Sequence, residues 1–491
     1  MRKFILYLLL FVLLCLIHVQ SNGQCVFHKL YDYNELNNGG LAVVQTSDNE
    51  FICSSSIYDG RLHIFRLDEC GDTVWTKIFN YSQIGADDGY SVIQSTDGNY
   101  IICGVMTDDI DIEGDTFILK IDANGDTLWY KTIEGGYGDK GIMIKQTSDE
   151  GFIIGGVNYD SILFTSQVYL IKTDSLGEVE WQEEYGEDGH DNLKSIDITP
   201  DGGYIIGGEF VNPATSSYDL FLLKTDSAGN EQWKEYYGDA YDDGKGFAIA
   251  TADSGFAIVG YTKDATGESE AYIVKTDSTG TEEWSKTYGY PDQFNCFMRI
   301  RQLEDGNYIL AGDVYDFDIA DGPLVWLLKM NTNGDTLWTK KYTYFGGDSH
   351  TYVEDLQLTS DGGYVMTGYT INSGNDLWLL KTDSLGNTCT IDTVTWEGCE
   401  DPVTVVEIAG YGETGSVVVY PNPSTGQITV NCETDSKAEF VLYDLTGVEV
   451  LRSFVNGQGQ ISLDNISGGI YLYRVVMAGE RISTGKLVIV R

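Results

Sequence analysis

Positive charge and histidine are both scarce in this 491-residue chain. It carries 30 lysines and arginines against 75 aspartates and glutamates, a formal net charge of −45, and it has 5 histidines. Such an acidic surface repels nucleic acid and anionic membranes, so neither is expected as a partner. The histidines are scattered, and no GxSxG, HExxH or Walker motif occurs. The sequence therefore predicts no histidine-based metal site or nucleophile.

Long apolar runs are missing beyond the N-terminus. There, Arg2 and Lys3 precede an apolar run over residues 4–17, and Ser21 and Gly23 follow with the spacing of a signal-peptidase site. The run is too short for a typical membrane anchor. We therefore expect residues 1–23 to be a signal peptide and the exported protein to have no transmembrane segment.

Paired cysteine motifs are missing as well. Of nine cysteines, eight remain once Cys15 leaves with the signal peptide, and none forms a CxxC pair. Neither a zinc site nor a redox motif is indicated. Cys53 and Cys103 lie in apolar runs that read as strands, so we expect both to be core residues.

What the chain has in abundance is an internal repeat. An Asp, two small or polar residues and an aromatic recur seven times at intervals of 49 to 56 residues, at 48–51, 97–100, 149–152, 201–204, 253–256, 305–308 and 361–364. In the fourth unit the runs KSIDIT, YIIGGEF, DLFLLKTD and EQWKEYYG read as four strands separated by turns. Four strands per unit of about 50 residues are typical of a β-propeller blade. The sequence predicts an all-β fold with a seven-bladed β-propeller over residues 24–387.

The outermost strand of the last blade is missing from its own unit. Six units carry a tryptophan in that strand, at positions 75, 129, 181, 233, 284 and 338, but the seventh unit has none up to residue 387. Phe27 and Tyr31 have the spacing of Trp129 and Ile133. We therefore predict that the N-terminal segment supplies this strand and closes the ring, which removes a free sheet edge.

The same alignment suggests a disulfide. It brings Cys25 and Cys389 to within one residue of each other, so a Cys25–Cys389 bond is a hypothesis. The alternatives are a Cys389–Cys399 bond and two free thiols.

The pattern D-x-x-G-x-x-x-W also recurs along the repeats, as in Asp174, Gly177 and Trp181. The glycine supplies positive φ in a hairpin, and the tryptophan is expected to fill the wedge between neighbouring blades. Residues 24–387 resemble the propellers of the quinoprotein alcohol dehydrogenase-like group and, more loosely, the Asp-box of sialidases. The resemblance implies a fold but no activity, because the quinoprotein cofactor and calcium ligands have no recognisable counterpart.

The C-terminal part has a different composition. Residues 388–416 contain six acidic residues, no basic residue and no repeat, which indicates a linker. Alternating strands with Pro, Gly and Asn turns then predict a small β-sandwich over 417–491. The strings YPNPSTG (420–426), YDLTG (443–447) and GGIYLY (468–473) resemble the C-terminal sorting domain of the type IX secretion system of Bacteroidetes.

That resemblance implies export. The signal peptide would lead to the periplasm, the secretion machinery would carry the protein across the outer membrane, and its sortase would remove the domain. The product would be secreted or anchored on the outer-membrane surface. A carbohydrate-binding sandwich is the alternative.

Acidic residues concentrate in the loops that lead into each blade. Symmetry would place them as a ring around one channel mouth, which makes them candidate ligand-binding residues: Asp139, Asp191, Asp242, Asp243, Asp292 and Asp348. Solvated loops that keep the protein soluble are the alternative.

Two further loops suggest calcium as a cofactor. Residues Asp109, Asp111 and Glu113 precede Gly114 as in the first half of a calcium loop, but the distal Glu is missing. A looser version is formed by Asp316, Asp318 and Asp321. Solvated acidic loops again are the alternative.

Regular repeats, variable loops and missing catalytic motifs together favour a secreted or surface-attached binding or adhesion module, with a glycan or a surface protein as its ligand. The rival is a polysaccharide-active hydrolase of endoglucanase type, since paired carboxylates can serve glycoside hydrolysis, although this rests on analogy of fold. A structural component of a surface layer is a third possibility.

Overall fold

All elements in the described residues of the computed structural model are β-strands. The structure describes residues 25–32, 38–57, 60–79, 87–107, 114–133, 138–160, 165–186, 191–211, 217–238, 241–289, 294–315, 323–342, 350–371, 375–388, 406–407, 418–420, 427–431, 437–443, 449–456, 458–463, 466–467, 469–477 and 482–489. Over these ranges no helix is long and apolar enough to cross a membrane. The chain divides into two compact units, residues 1–408 and 409–491.

The first unit begins with β1 (Phe27–Asp32) and continues with sheets of four consecutive antiparallel strands. Sheet 1 contains β2 (Asn38–Gln45), β3 (Phe51–Ile57), β4 (Arg61–Leu67) and β5 (Thr73–Phe79). Sheet 2 contains β6 (Asp87–Gln94), β7 (Tyr100–Met106), β8 (Asp115–Ile121) and β9 (Thr127–Ile133). Sheet 3 contains β10 (Lys140–Gln146), β11 (Phe152–Asp160), β12 (Thr165–Thr173) and β13 (Val179–Tyr185).

The next three sheets repeat the pattern. Sheet 4 contains β14 (Asp191–Ile198), β15 (Tyr204–Val211), β16 (Tyr218–Thr225) and β17 (Glu231–Tyr237). Sheet 5 contains β18 (Gly244–Ala250), β19 (Phe256–Lys263), β20 (Ser269–Thr276) and β21 (Glu282–Tyr288). Sheet 6 contains β22 (Asn295–Gln302), β23 (Tyr308–Tyr315), β24 (Pro323–Met330) and β25 (Thr336–Tyr342).

Sheet 7 combines strands from distant parts of the chain. Its strands are β26 (His350–Leu358), β27 (Tyr364–Ile371), β28 (Asn375–Thr382), β1 and the short β29 (Val406–Glu407), in that order. The N-terminal β1 runs antiparallel to β28 with Phe27 opposite Lys381, and β29 runs parallel to β1. These repeated sheets are consistent with a β-propeller.

Turn chemistry explains why the repeated sequence forms hairpins. In sheet 4, the Oδ1 atom of Asp226 accepts the amide hydrogens of Ala228 and Asn230, both at 2.9 Å. Gly229 follows with φ of +85°, a conformation that L-residues rarely adopt. This Asp-capped turn joins β16 to β17.

Adjacent sheets interlock through the tryptophans. A Cβ built on Gly177 would lie 2.8 Å from Cζ3 of Trp129, so the ring of one sheet covers the turn of the next. A tyrosine four residues after the tryptophan often adds a hydrogen bond: the Tyr237 hydroxyl donates to the Gly280 carbonyl at 2.6 Å. The wedge role expected of the tryptophans is thus seen.

The strand β1 makes the same contacts with sheet 1. A Cβ on Gly71 would lie 2.7 Å from the Phe27 ring, and the Tyr31 hydroxyl donates to the Gly71 carbonyl at 2.6 Å. Sheets 7 and 1 also meet through Ser360, whose amide donates to Gln45 Oε1 at 2.7 Å. Sheet 7 therefore neighbours sheet 1 as each other sheet neighbours the next.

The disulfide hypothesis requires a correction. Cys25 is bonded to Cys70, with the two Cα atoms 5.2 Å apart. Cys389 and Cys399 lie outside the described residues. The hypothesis aligned the N-terminal segment only with the last sheet. Phe27 also packs on Gly71 of sheet 1, and this contact brings Cys25 beside the β4–β5 turn that contains Cys70.

The core lies between neighbouring sheets and is formed by their inner and middle strands. All seven residues of β7 are buried, for example. Cys53 and Cys103 are fully buried, which confirms them as core residues, and burial raises the pKa of both thiols.

The second unit contains two sheets. One is formed by β30 (Val418–Tyr420), β31 (Gln427–Asn431) and β34 (Gln458–Ser462). The other has the order β33 (Glu449–Asn456), β32 (Lys437–Tyr443), β35 (Gly469–Met477) and β36 (Ile482–Ile489). Ile428 and Ile461 of the first sheet share one hydrophobic core with Phe440 and Val475 of the second.

Candidate functional site

The innermost strands of all seven sheets line one cavity. Each of these strands has a β-bulge at the same repeat position, as between Lys245 and Phe247. The residues that follow the bulges line a cavity of about 130 Å³, one from each sheet: Ala42, Ser91, Met143, Ser195, Phe247, Arg299 and Asp355. We call it the axial cavity.

The acidic ring expected around a channel mouth is not formed as predicted. Asp139, Asp191 and Asp243 are 0, 2 and 0% exposed, so they do not face solvent. Asp191 packs on Gly186, where a Cβ would lie 2.5 Å from Oδ2, because the innermost strand begins beside the end of the preceding outer strand. Asp242 is partly exposed and lies 3.5 Å from Lys263 Nζ. The remaining two, Asp292 and Asp348, lie outside the described residues.

The candidate calcium ligands also lie outside the described residues. They fall in segments 108–113 and 316–322. Within the described ranges, no group of three or more His, Cys, Asp or Glu side chains is arranged to hold a metal ion.

A different set of residues distinguishes one side of the cavity. The sixth residue of the second strand is small or aliphatic in sheets 1 to 3, where it is Ser56, Val105 and Val157. In sheets 4 to 7 it is polar or aromatic, namely Glu209, Tyr261, Asp313 and Tyr369. The chemical character of this position therefore differs between sheets 4 to 7 and sheets 1 to 3.

Two of the seven bulge residues are charged. They are Lys194 in sheet 4 and Glu354 in sheet 7, whereas the other sheets have Leu41, Tyr90, Ile142, Gly246 and Met298. These residues lie near the end of the innermost strands at which the chain leads into each sheet. We define the mouth site as Lys194, Glu209, Lys245, Asp313 and Glu354 together with Tyr261, Tyr315, Tyr352 and Tyr369.

Carboxylates of the mouth site connect neighbouring sheets. Glu209 lies 3.1 Å from Lys194 Nζ and accepts the Lys245 amide hydrogen at 2.8 Å. Asp313 accepts the Val353 amide hydrogen at 3.1 Å in the equivalent way. Each therefore satisfies the amide that precedes the bulge of the next sheet.

Aromatic rings cover the same region. Tyr352 and Tyr369 stack with centroids 5.0 Å apart, and Phe294 lies between Tyr261 and Tyr315 at centroid distances of 5.7 and 5.9 Å. Phe294 is 40% exposed and the four tyrosines are partly exposed. Partly exposed aromatic rings thus occur in each of sheets 5 to 7.

Burial changes the acid–base properties of the site. It raises the pKa of Asp313 to about 8, against the effect of the Val353 amide and with a contribution from the charge of Glu354. Burial also raises the pKa of Glu354, although the cations Arg299 and Lys245 oppose this. A carboxyl group that keeps its proton at neutral pH is therefore present.

The backbone at Lys245 is strained. Its φ is +81°, in the left-handed region that non-glycine residues rarely occupy. None of the equivalent residues in the other six sheets has a positive φ; they are Gly40, Gly89, Gly141, Leu193, Phe297 and Val353. Strained residues of this kind cluster at functional sites.

Sequence reasoning missed the mouth site because it searched the loops for acidic residues. Asp313, Glu354 and Lys245 lie within strands, where the repeat appeared regular. Alignment of the seven units position by position would have found them, as the departures from the pattern in sheets 4 to 7 are visible in the sequence.

Comparison with known families identifies the C-terminal part. Residues 418–490 match the family model of the secretion system C-terminal sorting domain. This domain marks cargo of the type IX secretion system that is secreted or anchored on the cell surface, and it implies interaction with that machinery. The resemblance seen in the sequence is confirmed.

Two solved structures resemble this chain in fold. Two structures of an ulvan lyase of polysaccharide lyase family PL25, one bound to -[GlcA(1-4)Rha3S]-, have TM-scores of 0.53 and 0.52 at 8 and 9% identity. The matches cover 71% of this chain and 94% of theirs. PorZ, a surface component of the type IX secretion system of Porphyromonas gingivalis, matches at a TM-score of 0.35 and 10% identity over 94% of this chain and 70% of that one.

At these identities the two lyase structures show similarity of fold alone. No curated protein matches the chain. The resemblance to the quinoprotein alcohol dehydrogenase-like group stays a prediction.

Proposed function

We propose that the protein is a type IX secretion cargo whose seven-bladed propeller, residues 24–387, binds a carbohydrate at the mouth site. In this proposal residues 1–23 are a signal peptide, 388–416 a linker and 417–491 a sandwich-like sorting domain. The β1 strand closes the ring. The secretion sortase would remove the sorting domain and leave the propeller free or attached at the cell surface.

One observation carries the proposal: partly exposed tyrosine rings lie beside carboxyl and ammonium groups in sheets 4 to 7, and the sixth residue of the second strand there is Glu209, Tyr261, Asp313 or Tyr369 rather than the Ser56, Val105 or Val157 of sheets 1 to 3. Aromatic faces offer apolar contact area at low conformational cost, and a few convergent polar groups fix the orientation of a ligand. Sugar rings combine an apolar face with a rim of hydroxyl groups. The stacked pair Tyr352 and Tyr369 and the neighbouring Glu354 suit both features.

A glycan array with the purified propeller tests the proposal. A bound polysaccharide is then titrated against the wild type and Tyr369→Ala, and we expect affinity to fall by about tenfold for the variant, as for a central aromatic contact. Val157→Ala changes the equivalent position in sheet 3 and serves as the matched control, with unchanged affinity expected. Equal losses in both variants, or no binding to any glycan, would reject the mouth site.

A polysaccharide-cleaving enzyme is the second candidate, favoured by the buried Asp313 beside Glu354. A carboxyl group with a pKa of about 8 can donate a proton at neutral pH, as glycoside cleavage requires. Reducing-sugar release by the wild type and its loss in Asp313→Asn would establish this activity. Binding of the polysaccharide without release of reducing sugar would contradict the enzyme and support the binding module.

Calcium remains a proposal for the acidic loops 108–115 and 316–322. Isothermal titration with calcium tests it directly. The wild type should release or absorb heat on binding calcium, and a double variant with Asp109→Asn and Asp111→Asn should show a smaller binding heat. An absence of heat with the wild type would end the calcium proposal.

A further inference from the structure

The axial cavity has room for a polar ligand. Its volume of about 130 Å³ is several times the roughly 10–15 Å³ that one water requires. Polar side chains from four of the innermost strands point to it: Lys145, Asp197, Arg299 and Arg301, and Asp355 with Gln357. The cavity is therefore wet rather than apolar.

Cations outnumber carboxylates in this lining. Lys145 pairs with Asp197 at 3.2 Å. A single carboxylate, Asp355, serves two guanidinium groups: Arg301 Nη2 lies at 3.4 Å and Arg299 Nε at 3.5 Å. The lining thus contains three cations and two carboxylates, and Glu354 outside the lining also interacts electrostatically with Arg299.

Asp355 has little capacity left for either arginine. It also accepts the Val43 amide hydrogen at 3.1 Å, the Leu356 amide hydrogen at 2.8 Å and the Gln357 side-chain amide at 3.1 Å. These bonds use most of the roughly four acceptor positions that its two oxygens offer. The contacts to Arg299 and Arg301 are correspondingly long.

Arg299 is incompletely satisfied. It is 8% exposed, its Nη1 atom donates to the Met298 carbonyl at 2.8 Å, and its Cζ lies 4.1 Å from the centre of the Phe247 ring. Its Nε atom is buried and contacts Asp355 Oδ1 at 3.5 Å, which is too long for a good hydrogen bond. Buried donors of a charged group are costly unless an acceptor is supplied.

We propose that the axial cavity binds an oxyanion, held by the guanidinium groups of Arg299 and Arg301 and the ammonium group of Lys145. Guanidinium groups form paired hydrogen bonds with sulfate, phosphate and carboxylate oxygens. The anion is either a free inorganic ion or the acidic group of a sugar. This inference does not depend on carbohydrate binding at the mouth site, because it rests on the cavity alone.

Isothermal titration of the full-length protein with sodium sulfate and sodium phosphate, at constant ionic strength set by sodium chloride, tests the inference. We expect one site, weakened by about tenfold in Arg301→Gln, in line with the loss of a charge-assisted contact. Arg452→Gln, which removes an exposed arginine of the second unit, is the matched control and should bind as the wild type. No heat with either anion and none with glucuronate, or equal binding by Arg301→Gln, overturns the inference.

A second titration identifies the source of the anion, and a second variant replaces Arg301→Gln if that variant does not fold. Glucuronate is compared with glucose: binding of glucuronate but of neither inorganic anion supports the inference with a sugar acid as the source. If Arg301→Gln fails to fold, as judged by circular dichroism, the more exposed Lys145→Gln takes its place. Unchanged affinity in that variant likewise contradicts the assignment.

Discussion

The ring of Phe27 lies against Gly71 as the tryptophan rings lie against the equivalent glycines of the other sheets. One phenylalanine near the N-terminus of the chain therefore completes the contact between sheet 7 and sheet 1. The pairing of β1 with β28 and the bond between Cys25 and Cys70 stabilise the same junction.

Removal of the Phe27 ring should destabilise the first unit. Phe27 is buried, so Phe27→Ala leaves a cavity at the junction, and we expect a loss of about 3 kcal/mol in the free energy of unfolding. Urea denaturation measures this. Val74→Ala changes an exposed side chain of sheet 1 and should have little effect. Equal stability of Phe27→Ala and the wild type would contradict the junction.

Loss of the disulfide should also destabilise the unit. The bond links residues 45 apart, and removal of such a link costs about 2–4 kcal/mol. Cys25→Ser and Cys70→Ser should lower the melting temperature equally, and a reductant should lower that of the wild type alone. Non-reducing peptide mapping provides the independent check: a Cys25–Cys389 peptide would show that the assignment is wrong.

Acid should destabilise the turns that precede the second strands. Burial would raise the pKa of Asp201, but hydrogen bonds from Thr199, Lys224 and the Gly203 amide lower it to about 2. Its folded-state pKa lies below the ordinary value of 3.8, so it contributes stability above pH 3.8 that is lost as the pH falls through 2. Asp149 and Asp253 behave alike, with pKa values of about 2.

Asp201→Asn measures that contribution. We expect a loss of about 1 kcal/mol at pH 7, since Asp201 is more than half exposed and solvent screens its pair with Lys224. Sheet 6 offers the control, because Leu303 replaces the threonine there, and Asp305→Asn should have a smaller effect. Equal losses from both variants at pH 7 would contradict the role of the threonine and lysine partners.

Asp313 should have the opposite dependence on pH. Burial raises its folded-state pKa to about 8, so its contribution is fully present below the ordinary pKa of 3.8 and is lost as the pH rises through 8. Asp313→Asn keeps an acceptor for the Val353 amide and should reduce the decline in melting temperature between pH 4 and pH 8. An unchanged decline in this variant would show that Asp313 does not titrate in that range.

Much of the fold could be predicted from the sequence, because each repeat contains the residues that form its turns and its contacts with the next sheet. The Asp-capped turn at Asp226 and Gly229 and the tryptophan that covers the next turn are local patterns with fixed spacing. The last unit lacks the tryptophan, which predicts that the segment around Phe27 supplies its outermost strand. In the structure β1 indeed pairs with β28. The sorting domain was recognisable from its own motifs.

The site was harder to predict, since it depends on contacts between units. Cys25 meets Cys70 only because sheet 7 packs on sheet 1, which no alignment of a single sheet reveals. Asp191 and Asp243 appeared to be surface residues, yet both lie at the buried starts of innermost strands. Many loops are equally acidic, so acidic composition could not indicate which of them, if any, contributes to a ligand site.

In the proposed function the carbohydrate lies against sheets 4 to 7, and the equivalent residues of sheets 1 to 3 do not contact it. Tyr315 of sheet 6 and Tyr159 of sheet 3 occupy the same repeat position, the eighth residue of the second strand. The most direct measurement is the dissociation constant of a polysaccharide that binds the propeller, for Tyr315→Ala and Tyr159→Ala side by side. We predict weakening of about tenfold for Tyr315→Ala alone. Equal weakening in both variants, or weakening in Tyr159→Ala alone, would contradict the account.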